Sequence, residues 1–138
     1  RGYEVRIPPT LESPSHAEGK DYADDGDLYI SGQGLENERI EVKCRSLKFS
    51  NRGDWPHPDF MVCAKHSWDR ASPKPLGYIV LSSDMQHCGI VSGDSYARWS
   101  VGEKADRRYA GDYKQKFYIA NLDDVAFKSL RTIGLPRP

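Results

Sequence analysis

Three charged residues in one predicted β-hairpin have the types and the spacing needed for metal-assisted hydrolysis. Asp27 opens the first arm, and Glu41 and Lys43 stand two residues apart on the second. Carboxylates from adjacent strands suit Mg²⁺ or Mn²⁺, with the main-chain carbonyl of Val42 as a further ligand candidate, so we expect the two carboxylates within about 5 Å. A lysine beside such an ion can orient a water molecule or contact a phosphate. The hairpin therefore predicts phosphodiester hydrolysis.

Two strands must position these residues. Residues 27–31 (DLYIS) and 39–44 (RIEVKC) have strand composition and are joined by a polar loop. Side chains alternate across a strand, so Glu41, Lys43 and Arg45 share one face, which we expect to be solvent-facing. The opposite face, which we expect to pack into the core, carries Ile40, Val42 and Cys44.

The arrangement resembles the PD-(D/E)XK nuclease superfamily, which has an acidic residue on one strand and a hydrophobic-E-x-K motif on a later one. The matching residues are Asp27 and IEVK at 40–43, and the resemblance covers about residues 2–83, with GYEVRI at 2–7 similar to the family's first strand. It implies a restriction-endonuclease-like core, with Asp27 and Glu41 as metal ligands and Lys43 as the catalytic lysine. The implied activity is that of a metal-dependent endonuclease acting on DNA, or on RNA.

Three features depart from the family pattern. Gly26 stands where proline is common, no helix precedes the first strand, and residues 51–60 (NRGDWPHPDF) follow the motif in place of a helix. Two alternatives therefore stay open. One is a non-catalytic β-rich binding module, in which Glu41 and Lys43 merely face solvent. The other is an inactive nuclease-fold domain, missing its first helix and retained for nucleic-acid binding or assembly.

The remaining segments predict an α+β fold with a central mixed, mostly antiparallel sheet in a single domain over residues 1–138. Further strands are predicted at 3–7, 59–67, 76–83, 87–92 and 114–121, of which 59–67 and 76–83 are the most apolar and are expected to be central. A short helix is predicted over 93–102, capped by Asp94 or Ser95. The strongest helix pattern is at 122–134, where Asn121 could cap and apolar residues recur on one face.

The formal net charge of zero selects no partner, but the charges are unevenly distributed. A mildly basic stretch at 98–116 and several aromatic side chains are compatible with phosphate and base-stacking contacts to DNA. The candidate nucleic-acid-binding residues are Arg45, Arg98, Arg107 and Arg108. Cleavage of both strands of a duplex would call for two active sites, so a homodimer is a further possibility.

Cysteine content and hydropathy bear on the environment of the chain. No apolar run reaches the roughly 20 residues of a membrane span, and the N-terminus lacks a signal-peptide apolar region. Three cysteines without scaffold spacing predict reduced thiols, at least two of them buried, in an intracellular protein with no membrane partner. A zinc site and a metal-binding role for His16 are weaker alternatives. The zinc ligands would come from Cys44, Cys63, His66, His87 and Cys88.

Overall fold

The computed structural model describes residues 2–7, 28–105 and 114–131, which form two β-sheets around a shared core. The strands are β1 (Glu4–Arg6), β2 (Leu28–Gly32), β3 (Leu35–Cys44), β4 (Asp59–Ala64), β5 (Gly77–Leu81), β6 (His87–Ser92), β7 (Ser100–Ala105), β8 (Lys114–Asn121) and β9 (Val125–Ser129). Sheet A has the strand order β1–β2–β3–β5–β6–β9, and sheet B has the order β4–β8–β7. One helix, α1 (Lys65–Arg70), and two 3₁₀ turns, Gly93–Arg98 and Leu122–Asp124, complete the described elements.

Sheet A is mixed because β3 and β5 run parallel while its other neighbouring strands are antiparallel. The hairpin predicted around residues 27–44 is present as β2 and β3, with Leu28 opposite Ile40 and Tyr29 opposite Arg39. The chain then leaves sheet A, forms β4 and α1, and returns as β5 alongside β3. Parallel neighbours need a crossover of this kind, since a tight turn cannot join them.

The core lies between the two sheets and is built from large side chains. Sheet A contributes Tyr78, Val80 and Val91, and sheet B contributes Phe60, Val62, Tyr118 and Ala120. Gly89 pairs with Val80, and a Cβ atom there would come within 2.9 Å of the Phe60 ring. The glycine therefore leaves the space that this aromatic ring fills.

The prediction of an α+β fold with a helix at 122–134 is wrong, because the described part of the protein is mostly β and arranged as two sheets. Residues Leu122–Asp124 form only a 3₁₀ turn, and β9 then pairs with β6. Asn121 does cap this turn, since its side-chain oxygen accepts a hydrogen bond from the Asp123 amide at 2.9 Å. A capped start thus leads into a strand instead of a helix.

Two other segments change type along their length. Residues 59–67 were predicted as one central strand, but β4 ends at Ala64, α1 follows, and β4 is an edge strand of sheet B. Residues 93–102 contain the 3₁₀ turn and the start of β7, and the cap is Ser92, whose hydroxyl accepts from the Asp94 amide at 3.2 Å. The strands predicted at 3–7, 76–83, 87–92 and 114–121 are confirmed as β1, β5, β6 and β8.

Candidate functional site

Three charged side chains, Arg39, Glu41 and Lys43, lie on a single face of β3, and Arg45 follows directly after the strand. We call these four residues the charged row. Glu41 pairs with Tyr78 and Lys43 pairs with Val80 in the parallel ladder to β5. Paired residues share a face of the sheet. Tyr78 and Val80 are 2% and 0% exposed and belong to the core. The charged row therefore lies on the side of sheet A that packs against sheet B.

The face expected to be solvent-facing is thus the inner one, and that prediction is wrong. Ile40 and Val42 lie on the outer face of sheet A, where Val42 is in register with Ile79 and Ile79 with Ile90. These apolar side chains are only half-buried, and Cys44 on the same face is exposed. Both faces of the central strands carry apolar residues, so the pattern of β3 alone could not identify the inner side.

Glu41 is held by Arg39 within the charged row. The guanidinium donates from Nε and from Nη2 to Oε1 of Glu41, at 2.9 and 2.8 Å, and the two side chains are 13% and 17% exposed. Removing a carboxylate from water carries a free-energy penalty, and a cation hydrogen bonded to the carboxylate offsets part of it. The pair fixes the orientation of Glu41 on the inner face.

Arg45 ends the charged row and bridges the two sheets. Its Nη2 atom donates to the main-chain oxygen of Met61 in β4 at 3.1 Å. Burial lowers the pKa of Arg45 from its usual value, a direction expected when a cation loses water. Arg45 therefore has a structural contact with sheet B, and its role as a nucleic-acid ligand stays a prediction.

Cys63 and Tyr78 lie beside the charged row in the interior. Cys63 interacts electrostatically with Tyr78, Lys43 and Glu41. Burial raises the pKa of the Cys63 thiol, and the interactions with Tyr78 and Lys43 oppose this only in part. Burial likewise raises the pKa of Tyr78. Both groups are neutral at pH 7, so neither supplies a thiolate or phenolate nucleophile.

The other predicted site residues are distributed differently. Asp27, Arg107, Arg108 and His16 lie outside the described residues, so the Asp27–Glu41 separation stays a prediction. Arg98 lies on the Gly93–Arg98 turn, where it donates to both carboxylate oxygens of Asp124 at 2.7–3.1 Å. This contact lowers the pKa of Asp124 and raises that of Arg98. The charge of Arg98 is accordingly balanced within the protein.

All three cysteines are free thiols, with Cys63 and Cys88 buried and Cys44 exposed, so the prediction that at least two are buried is confirmed. Within residues 2–7, 28–105 and 114–131, no three histidine, cysteine or acidic side chains come together as a metal-binding group. The zinc alternative drew all its ligands from these ranges and has no geometric support.

Sequence reasoning missed two residues of the site, Arg39 and Tyr78. Arg39 sits two positions before Glu41, so strand alternation alone could have placed it on the same face. Tyr78 adjoins Glu41 only through the parallel pairing of β3 with β5, and no local sequence signal specifies that register.

No protein-family model, curated protein or solved structure matches this chain. Among the helices that the structure describes, none is long and apolar enough to cross a membrane.

Proposed function

We propose that the chain is a metal-dependent nuclease that hydrolyses phosphodiester bonds of DNA, with Glu41 and Lys43 at its active site. The observation that carries this proposal is the position of the charged row on the core-facing side of sheet A. Half-buried charges lower the stability of a fold unless they are paired, and apolar side chains in the same positions would destabilise it less. A row of charges retained in this position is therefore a candidate functional site.

The register of the hairpin supports a role for Asp27, although that residue lies outside the described ranges. The last described pair of the β2–β3 ladder is Leu28 with Ile40. One further step in each strand would bring Asp27 opposite Glu41. We therefore assign these two carboxylates as ligands of one Mg²⁺ or Mn²⁺ ion, whose donor preference is for such hard oxygens.

The residues of the charged row then have distinct roles. Bound at the carboxylates, the divalent ion would polarise the phosphoryl oxygen and lower the pKa of a water molecule. Arg39 positions Glu41 through its two hydrogen bonds. Lys43, on the same face and two residues away, places its positive charge beside the phosphate and stabilises the negative charge that develops there.

The composition of the charged row also favours a second candidate function, non-catalytic binding of a nucleic-acid backbone. The row has three cations and one carboxylate, and that carboxylate is already paired with Arg39. A net positive strip of this kind binds phosphate without requiring a metal ion. This candidate predicts salt-sensitive binding and no cleavage.

Cleavage assays with single-site variants test the proposal. Plasmid and single-stranded DNA are incubated with the full chain and millimolar Mn²⁺ or Mg²⁺, and ion binding is measured by calorimetry. Glu41→Ala should lose ion binding and cleavage together, because a ligand is removed. Glu36→Ala is the matched control, since Glu36 is an exposed glutamate of the same strand. Absence of both ion binding and cleavage in the wild type would refute the nuclease proposal and leave the binding function.

A further inference from the structure

The exposed ring of Tyr96 is fixed in place by the aromatic residues beneath it. It stacks on Trp68 of α1 with ring centroids 5.1 Å apart and planes inclined by 24°, and it meets Trp99 and Tyr118 edge-on at 5.4 and 5.5 Å. Tyr96 is nevertheless 43% exposed. A ring that is ordered before binding loses little conformational freedom when a flat ligand stacks on it.

A cavity of about 420 Å³ adjoins this ring, which is within the size range of small-ligand sites. Trp68 and Tyr96 line its aromatic side, and Lys74, Glu38 and Asp94 supply charged groups. Lys74 Nζ lies 5.5 Å from the Trp68 ring centroid and donates to the Asp69 carbonyl. With two carboxylates against one ammonium, the cavity repels phosphate but can accept hydrogen bonds from base amino groups.

A second, basic cavity of about 210 Å³ involves the same helix. Three lysines, Lys65, Lys114 and Lys116, line it together with His66, Asp69 and Gln115. Lys114 and Lys116 are exposed and lie on the same face of β8, two residues apart. Lys65 is ion-paired with Asp69 at 2.6 Å, and Lys116 is in register with Glu103 of β7, so the three lysines outnumber two neighbouring carboxylates.

One buried aromatic side chain, Tyr118, lies between residues that line the two cavities. Lys65 Nζ lies 5.7 Å from the Tyr118 ring centroid, and the Tyr118 ring contacts Tyr96. The surface around α1 thus carries a fixed aromatic ring, Tyr96, and a group of three lysines, Lys65, Lys114 and Lys116. This combination is the usual basis of single-strand binding, and the bases of a duplex are not free to stack in this way.

We infer that the surface around α1 binds single-stranded nucleic acid, with one base stacked on Tyr96 and the adjacent phosphates held by Lys114 and Lys116. The inference rests on the proposed function for its role as a substrate site, and it names the single strand as the substrate class. The cavity carboxylates Glu38 and Asp94 face the base, and the lysines face the backbone.

Fluorescence anisotropy in EDTA tests binding without any cleavage. Fluorescein-labelled single strands of ten nucleotides, as DNA and as RNA, are compared with the corresponding duplex. The wild type should bind a single strand more tightly than the duplex. Tyr96→Ala should weaken that binding about tenfold, while Tyr96→Phe, which keeps the ring, should bind like the wild type. Tyr3→Ala is the matched control, because Tyr3 is 47% exposed and lies just before β1, away from this surface.

The lysines are tested through salt dependence. The Lys114→Ala, Lys116→Ala double variant should reduce the slope of log affinity against log salt by about 1.4, or 0.7 for each single-strand phosphate contact. Lys48→Ala with Lys128→Ala removes two exposed lysines elsewhere and should leave the slope unchanged. Equal binding of duplex, wild-type binding by Tyr96→Ala or an unchanged slope in the double variant would overturn the inference. Tight single-strand binding without Mn²⁺-dependent cleavage would instead refute the nuclease proposal alone.

Discussion

Two adjacent strands of sheet A present different chemistry on the same inner face. On β5, Tyr78 and Val80 are buried and form part of the core. On β3, in direct register, Glu41 and Lys43 are charged and only half-buried. One strand stabilises the fold by removing apolar surface from water, whereas the other keeps charges where they lower stability. Under the proposed function, the residues that stabilise the fold and those that act on the substrate would lie on neighbouring strands, β5 and β3.

The largest effects should come from replacing, one at a time, the two members of the register pair Lys43 and Val80 by alanine. Lys43→Ala should slow cleavage at least a hundredfold, because a charge placed beside a developing oxyanion is worth about 3–4 kcal/mol. Its thermal midpoint and ion binding should stay close to the wild-type values. Val80→Ala should instead lower the free energy of unfolding by about 2–3 kcal/mol, with activity per folded molecule retained. Equal cleavage rates in Lys43→Ala and wild type would contradict the assigned role.

A similarly large loss is expected at the apolar end of the inner face, in β9. Phe127 packs edge-on against Phe49 and Phe60, with ring centroids 6.0 and 6.1 Å apart. Phe127→Ala should lower the free energy of unfolding by about 2–3 kcal/mol in urea titrations. The neighbouring Lys128→Ala is the control, because Lys128 is exposed. This variant should have the same urea midpoint of unfolding as the wild type. Similar midpoints for both variants would argue against β9 as a core-packed strand.

A smaller effect of opposite sign should follow when β3 is given the character of β5. The double variant Arg39→Met, Glu41→Leu replaces a half-buried ion pair by apolar side chains. It should be neutral or up to about 2 kcal/mol more stable, as found for other buried pairs, and it should not cleave DNA. Arg39→Met alone leaves Glu41 without this cation and should be less stable than the double variant. A double variant that loses stability would mean that the ion pair is structural.

The smallest effect concerns Asp54, a carboxylate outside both strands that serves as a reference for purely local stabilisation. It accepts hydrogen bonds from the Ser50 hydroxyl and the Ser50 and Asn51 amides, which lower its pKa from 3.8 to about 2. The folded-state pKa is depressed, so this stabilisation is present above pH 3.8 and lost as the pH falls towards 2. Asp54→Asn should lower the thermal midpoint slightly at pH 7, with the difference shrinking across that window. A difference independent of pH would exclude the carboxylate as its source.

Local patterns predicted much of the strand content. Strand-like composition in 39–44, 87–92 and 114–121 predicted β3, β6 and β8. Residues 122–134 were misassigned because Val125, Leu130 and Ile133 fit a helical face, while Val125 and Phe127 fit the strand period equally well. Pairing with β6 decided between the two. Short apolar spacings are compatible with both structures, and the choice was made by tertiary contacts.

The candidate site was predictable in composition but not in orientation. The two-residue spacing placed Glu41 and Lys43 on one face, and β3 has them so. Whether that face is the inner or the outer one depends on the side on which sheet B packs, and strands β4 and β8 of sheet B are distant from β3 in sequence. Alternation could have placed Arg39 beside Glu41, and Lys114 and Lys116 belong to the basic stretch at 98–116, but no sequence signal brought Tyr78 to Glu41 or these lysines to α1. Their association follows from strand register and from the helix between β4 and β5, which one-dimensional patterns do not encode.

The parallel pairing of β3 with β5 has a consequence for the order in which the protein assembles. The β2–β3 hairpin is local and can form within microseconds. Its contact with β5 requires closure of a loop over residues 45–76, within which β4 and α1 must find their places. In pulse-labelled refolding, β2–β3 amides should be protected before those between β3 and β5. The site would then be completed late, so a nascent chain would not be active before β5 has docked.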